Sequence, residues 1–274
     1  MSSAAQALRR ARHELNAVAG EESAQQANLL VAHILGCAPG ELLLKRELPL
    51  SAEQSAQLDA LLARRKRGEP LQYLLGEWGF MGLTFAVNPG ALIPRQDTET
   101  LCEHALRLAK ERGYETALDL CCGTGCIGIV MAKLGGLKVT CSDLSPDCVA
   151  LAQKNTEKNG VPAAVLQGSF FAPVSGRFDM ILSNPPYLTA ADMRSLQREV
   201  AFEPELALYG GEDGLFAYRE IALGYENHLN DGGVLLLEVG AGQARDVSAL
   251  FYGRRTECIF DYNGVARVVQ VEAR

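Results

Sequence analysis

Ala117-Leu118-Asp119-Leu120-Cys121-Cys122-Gly123-Thr124-Gly125-Cys126-Ile127-Gly128 is the stretch that decides the fold. Its first residues read as a short apolar strand and its last open an apolar helix, so a glycine-bearing turn joins strand to helix. Gly123 and Gly125 let backbone come close to a ligand, and the free N–H groups of the helix start face it. Around this unit, strands are predicted at 116–120, 138–142, 163–166, 180–183, 234–239, 256–260 and 265–271. Helices are predicted at 98–112, 126–134, 146–159, 215–229 and 243–251. Such alternation predicts an α/β domain, a mostly parallel seven-stranded sheet with helices on both faces, as in Rossmann-like folds. Ligands of such sheets bind at the strands' carboxyl ends, near a topological switch point.

Two further strand ends carry chemistry. Thr140-Cys141-Ser142-Asp143 ends the next strand in an acid that could accept both hydroxyls of a ribose. Ser183-Asn184-Pro185-Pro186-Tyr187 follows the apolar run 178–182. Its two prolines end ladder pairing and stiffen the loop. The loop offers one amide side chain, prolyl-flanked carbonyls and one aromatic ring, a set suited to holding a planar NH2 group. An ordinary proline-rich turn is the plain alternative. Gly123, Gly125 and Gly128 also satisfy the dinucleotide fingerprint, with Asp143 20 residues beyond Gly123, so a nicotinamide-dependent oxidoreductase has to be weighed. Asp119, just before the turn, would repel a pyrophosphate but suits an amino-bearing cation. S-adenosylmethionine has an amino group, a sulfonium and no phosphate, and this polarity favours a methyl donor.

The chain ahead of this domain is of another kind. Ala4, Leu8, Ala11, Leu15 and Val18 recur at three- and four-residue steps, a helical stripe stopped by Gly20. Residues 27–35 supply a second stripe before Gly36. Residues 51–67 supply a third, with Leu58, Leu61 and Leu62 inward and Gly68 as stop. Trp78, Phe80, Leu83, Phe85 and Val87 alternate around Gly79 and Gly82 and predict a hairpin packed on the following domain. Asn88-Pro89-Gly90 and Pro94 mark a linker. The expected organisation is a helical domain at 1–75, hairpin and linker at 76–96, and the α/β domain at 97–274.

Composition narrows the classes. Of 274 residues, 48% are hydrophobic and 22% charged, ordinary for a globular protein. No apolar run approaches the roughly 20 residues of a membrane span. Residues 1–12 lack a secretory h-region, and eight scattered cysteines are expected as free thiols of a cytoplasmic protein. Residues 1–75 hold nine Lys and Arg against eight Asp and Glu, and the remainder 17 against 25. An acidic main domain speaks against nucleic acid as a direct partner. The basic run Arg64-Arg65-Lys66-Arg67 reads as a solvated helix end, with partner docking as the rival. Cys121, Cys122, Cys126 and Cys141 lack C-x-x-C pairing, so no metal site is expected. His13, His33, His104 and His228 form no i, i+4 pair, and no G-x-S-x-G elbow is present. The paired acids Glu203/Glu205 and Glu212/Asp213 are expected to structure loops.

Taken together, Asp119, Gly123-x-Gly125, Asp143 and Asn184-Pro185-Pro186-Tyr187 resemble a class I S-adenosylmethionine-dependent methyltransferase. Further segments resemble the HemK/PrmC family of protein-(glutamine-N5) methyltransferases over nearly the whole chain. They are 68–76, Leu92-Ile93-Pro94-Arg95 with Thr98-Glu99, Glu203-Pro204, Gly211-Glu212-Asp213-Gly214-Leu215 and Leu237-Glu238-Val239-Gly240. The resemblance implies methylation of the Gly-Gly-Gln glutamine of class 1 peptide chain release factors, with S-adenosyl-L-methionine as donor. It implies that Asp119, Gly123, Thr124 and Gly125 line the donor's methionine part, Asp143 its ribose and Phe170 its adenine. Asn184 would face donor and acceptor, and Pro185, Pro186 and Tyr187 would complete the glutamine pocket. The family carries Gly-Thr where this chain has Cys121-Cys122, which leaves backbone contacts to the donor there, and Asp where it has Ser169. A monomer is expected, with the helical domain recognising the protein substrate. The rivals are a ribosomal-protein glutamine methyltransferase, an adenine-N6 nucleic-acid methyltransferase and a non-catalytic donor-binding scaffold.

Overall fold

Ser3 and Ser51 start the two longest helices of the N-terminal region. In a computed structural model describing residues 2–273, these are α1 (Ala4–Ala19) and, after α2 (Ser23–Leu35) and α3 (Leu42–Lys45), α4 (Ala52–Lys66). Each serine side chain accepts the N–H of the residue three on, Gln6 or Gln54, whose side chain accepts the serine N–H in return. Such reciprocal caps are worth about 1 kcal/mol each. A short α5 (Leu71–Leu75) follows. The buried stripe of α1 is Ala4, Ala7, Ala11 and Leu15, packed with Leu30, Leu58 and Leu62. Leu8, Val18 and Leu61, expected inward, are only partly buried at its edge.

The chain up to Gly76 forms one unit together with Gln197–Phe202, a segment from far downstream. This changes the reading of the basic run at one residue. Arg65 is 2% exposed; its Nε donates to Gln26 Oε1 at 2.8 Å, Nη1 to the Glu69 carbonyl and Nη2 to the Glu199 carboxylate. A buried guanidinium needs such full pairing. Arg64 pairs with Glu69 and Lys66 with Glu14 while both stay partly exposed, and Arg67 is exposed, so the run remains a solvated helix end except at Arg65.

The second unit comprises Glu77–Leu196 and Glu203–Arg274. It opens with the hairpin β1 (Glu77–Phe80) and β2 (Leu83–Ala86), then α6 (Asp97–Arg112), β3 (Thr116–Leu120), α7 (Cys126–Gly135), β4 (Lys138–Asp143), α8 (Pro146–Asn159), β5 (Ala163–Gln167) and β6 (Phe178–Ser183). It continues through α9 (Ala190–Met193), α10 (Glu205–Leu208), α11 (Phe216–Gly224), β7 (Leu229–Glu238), α12 (Ala244–Ala249), β8 (Thr256–Phe260) and β9 (Ala266–Glu272). The seven-stranded sheet has the order β5-β4-β3-β6-β7-β9-β8, and β9 runs antiparallel to both its neighbours. Strand order reverses between β3 and β6, which makes their carboxyl ends the switch point. Alternate strand residues feed opposite cores: Ala117, Met180 and Leu182 pack with α6 and α7, whereas Leu118, Ile181 and Leu235 pack with α11 and α12.

The helix expected at 215–229 is shorter. α11 ends at Gly224, a single 3-10 turn follows, and Leu229 already pairs with Phe178 as part of β7. Trp78 is half-buried on the hairpin. The hairpin is tied down elsewhere: the buried Asn155 side chain accepts the Ala86 N–H at 2.7 Å and donates to the Ala86 and Thr124 carbonyls. No single helix among the described residues is long and apolar enough to cross a membrane.

Candidate active site

The carboxyl ends of β3, β4 and β6 open into a cavity of about 350 Å³, within the range of small-molecule sites. All residues lining it belong to the second unit.

The turn after β3 is held from three sides. The Gly123 N–H donates to Asp143 Oδ2 at 2.8 Å, the Cys122 N–H to the Ser142 carbonyl at 3.1 Å, and the Gly125 N–H to the Cys122 carbonyl at 2.7 Å. Asp143 Oδ1 accepts the Ser145 N–H at 2.9 Å. Both Asp143 oxygens are thus anchored by backbone N–H groups, and the carboxylate lines the cavity. Burial pushes the Asp143 carboxyl above its usual range, against the pull of these N–H donors.

Cys121 has φ +58°, the left-handed region that favours glycine. A cysteine at this position carries strain that a glycine would not. Burial pushes the Cys121, Cys126 and Cys148 thiols up to about 12, so all three are uncharged at neutral pH. Cys121→Val is expected to lower stability by about 2 kcal/mol, since a β-branched residue is worst placed at positive φ. Cys121→Gly is expected to stay within about 1 kcal/mol of the parent, lost packing offsetting relief of strain. Urea unfolding of both variants checks the order, and equal midpoints would show that the turn relaxes.

After β6, the Ser183 hydroxyl donates to the Leu120 carbonyl at 2.7 Å and locks the two strand ends together. Asn184 lines the cavity, and its Nδ2 donates to Thr98 Oγ1 at 3.2 Å. The following prolines are gripped by glycines. A Cβ at position 210 would lie 2.6 Å from the Pro186 carbonyl oxygen, and one at 214 would lie 2.4 Å from that of Tyr187. Gln243 donates to the Tyr187 carbonyl at 3.0 Å and accepts the Gly240 N–H. The loop is thus held through its main chain.

The structure brings Cys121, Cys122, Gly123, Thr124, Asp143, Phe170, Asn184 and Pro186 to the cavity lining. Gly125 stands behind them as the N-cap of α7. Asp119, Pro185 and Tyr187 stand outside this lining. Asp119 is fully buried beneath the turn, drawn there by the Gly128 N–H on Oδ2 at 2.8 Å, while its Oδ1 has no partner. Burial first, then the nearby Asp143, raise its carboxyl to about 7. Pro185 is buried. Tyr187 is turned toward Gly240, where a Cβ would lie 3.1 Å from its Cδ2, and burial raises its phenol to about 12.

Several lining residues escaped the sequence reading. Thr98 belongs to a family segment that assigns it no contact with donor or acceptor. Leu206, Tyr209 and Phe216 come from the loops and helices after β6, and only the fold brings them here. Phe216 meets the Phe170 ring edge-on at 6.3 Å, and Phe170 itself has φ +44°. Leu144 and Phe216 remain 51% and 55% exposed although both line the cavity, so apolar surface there lacks a protein neighbour. The paired acids act in loops: Glu203 accepts the Ile93 N–H and pairs with Arg95, and Asp213 pairs with Arg219. His104 is a core residue bonded to Gln270 and Arg107, and the His228 ring stacks on Phe171. No cluster of three or more His, Cys, Asp or Glu side chains among the described residues could hold a metal ion.

Residues 6–76 match the family model described as the PrmC N-terminal domain, and residues 98–204 match the methyltransferase small domain. The release factor glutamine methyltransferase of Geobacter sulfurreducens is 43% identical over 261 residues, spanning 91% of this chain and 90% of that protein. That of Cereibacter sphaeroides is 41% identical over 273 residues, 97% of each chain. The chain belongs to the release factor glutamine methyltransferase family. As a member of that family it has the class I S-adenosylmethionine-dependent methyltransferase fold. A Thermus thermophilus 16S rRNA N2 G1207 methyltransferase, solved with AdoMet and guanosine, superposes with a TM-score of 0.52 at 21% identity, covering 72% of this chain and 50% of that one. At that identity it supports the fold alone. The family segment at 211–215 gains a physical reason here, since Gly214 and the adjacent Gly210 leave room for the main chain of the Pro-Pro-Tyr loop.

Proposed function

We propose that this chain transfers a methyl group from S-adenosyl-L-methionine to the side-chain nitrogen N5 of the glutamine in the Gly-Gly-Gln motif of class 1 peptide chain release factors. The observation that carries this reading is Asn184, at the switch point of the sheet, lining one cavity with Asp143 and Gly123.

The residues fit the donor. A Cβ at Gly123, which lines the cavity with φ +54°, would meet no protein atom within 4 Å, so bare backbone is offered to a ligand. The Asp143 carboxylate, which lines the cavity, suits the hydroxyls of a ribose. Phe170 and Leu144 offer apolar surface to a base. Asp119 acts from beneath the turn as a source of negative potential, which suits a cation and repels a pyrophosphate. When bound, S-adenosylmethionine supplies a methyl group made electrophilic by its sulfonium.

The acceptor is the harder partner. A carboxamide nitrogen is a poor nucleophile because its lone pair is delocalised into the carbonyl. The task of the site is orientation and electrostatics. The Asn184 side-chain oxygen accepts one N–H of the glutamine amide and holds that nitrogen toward the donor's methyl. The new N–C bond would form as the donor's sulfur–methyl bond breaks to leave a neutral thioether; the nitrogen then becomes acidic and one of its protons would pass to solvent, so no dedicated base is needed. Pro185 and Tyr187, expected to help complete the glutamine pocket, flank Asn184 and Pro186 without lining the cavity. The proposal therefore rests on Asn184. Neutral thiols at 121, 126 and 148 keep thiolates, far better nucleophiles, from competing for the methyl group. The helical unit contributes recognition of the release factor, and the enzyme acts in the cytoplasm, where translation ends.

Mass spectrometry of release factor incubated with enzyme and donor is expected to show one methyl group on the Gly-Gly-Gln glutamine. Methylation of ribosomal protein with release factor left unmodified would overturn the substrate assignment. Donor binding with no transfer to either would overturn catalysis.

A further inference from the structure

Behind Asn184 lies a second buried group. Thr98, at the start of α6, is 2% exposed, and its hydroxyl oxygen accepts from Asn184 Nδ2 at 3.2 Å. The same side chain lies close enough to the carboxylate of Glu238, the last residue of β7 and also 2% exposed, to favour its charged form as a hydrogen-bond donor does. Glu238 Oε2 has no partner. A hydroxyl has one proton. Given to the carboxylate, it leaves only lone pairs for Asn184, and a lone pair can be met by the NH2 end of the amide but not by the oxygen end.

We propose that Glu238 and Thr98 are positioning residues for methyl transfer: through one hydroxyl proton they orient the Asn184 amide so that its oxygen, and not its NH2, is presented to the acceptor. The idea deepens the glutamine-methyltransferase reading and rests on it. A flipped Asn184 would set NH2 against NH2, repelling the acceptor where it should hold it. Without a fixed partner, the two ends of an amide side chain are nearly equal in shape, so sterics alone cannot choose between them. A carboxylate, which only accepts, imposes the choice two groups away.

The relay carries a pH signature. Burial raises Glu238 to about 7, opposed by the Thr98 side chain; Asp97 raises it further, while Arg267 and Arg95 lower it. Tyr187, Tyr218, Cys102 and Cys126 also feel its charge. Above about pH 7 the carboxylate is ionised and can only accept. Below it, the acid proton competes to donate to the Thr98 oxygen, and the orientation is released. The rate at saturating donor should therefore rise as pH increases through 7. Asp119 titrates in the same region, but beneath the donor turn, so its titration is expected in donor affinity.

The test compares Thr98→Val, Thr98→Ser and Glu238→Gln with the parent enzyme. Thr98→Val is expected to lower kcat about 10- to 100-fold with donor Kd within about twofold, the scale expected of misplaced reacting groups. Thr98→Ser, which keeps the hydroxyl, should restore kcat to within about threefold, and Glu238→Gln, still an acceptor, should flatten the kcat rise near pH 7. A second readout needs neither donor nor substrate: nitrogen-15 NMR of the Asn184 side-chain amide, whose proton exchange should speed up in Thr98→Val. Unaltered kcat in Thr98→Val, no rescue by Ser, or unaltered Asn184 amide exchange would overturn the relay. If the parent enzyme leaves release factor unmethylated, the substrate reading falls, and the Asn184 exchange readout still decides for or against the relay.

Discussion

Asn184→Ala is expected to lower kcat by about 100- to 1,000-fold while donor affinity changes by less than about threefold. The magnitude is that of removing one preorganised hydrogen-bonding group from a reaction centre, about 3–4 kcal/mol. The split follows from where Asn184 sits. It directly follows β6, across the switch point from the Gly123 turn and Asp143, so its loss leaves the donor side of the cavity intact. Fold stability should change little, because the half-buried side chain makes one hydrogen bond, to Thr98. Single-turnover rates with release factor, set beside calorimetric donor titration, separate the two effects. A kcat near that of the parent would mean that Asn184 does not hold the amide.

Asp143→Ala should behave in the opposite way. Its carboxylate serves the ligand and the turn at once. Two charge-assisted hydrogen bonds to ribose hydroxyls, each worth about 1.5–3 kcal/mol, would be lost, and donor affinity should fall about 100-fold or more. The same substitution strands the N–H groups of Gly123 and Ser145, so the melting temperature should fall as well. Asp143→Asn keeps the size and one acceptor oxygen and should lie between the two. Donor affinity unchanged in Asp143→Ala, measured calorimetrically below its lowered melting temperature, would remove Asp143 from the ribose role.

The parts of the site that were legible in the sequence are those fixed by short-range rules. Asp143, the Gly123 turn and Asn184 each stand directly after an apolar strand, and a parallel sheet sets all such ends on one edge. Thr98 and Phe216 were not legible. They lie on helices some 80 residues upstream and 30 downstream of the Asn184 loop, and only strand order brings them to it. Asp119 shows a different limit. Its position before the turn was plain, but the direction of its carboxylate was set by the Gly128 N–H, a contact no spacing rule reports. Helix ends marked by Gly20, Gly36 and Gly113 were found because glycine stops a helix locally. The stretch 215–229 misled because Tyr218, Ile221, Tyr225 and Leu229 keep a helical spacing. Leu223 is 81% exposed, while Leu229 already serves the sheet.

The Gln197–Phe202 segment, which belongs with the helical unit, bears on how such a protein can be inherited. A module joined by one linker can be cut, swapped or lost by a single recombination event. Here the chain passes between the units after Gly76, again after Leu196 and once more after Phe202. A cut at the first passage would leave Glu199 without the buried Arg65 that pairs with it. The two units are therefore bound to travel as one gene segment, and change in the helical unit has to stay compatible with six residues encoded more than 120 codons downstream.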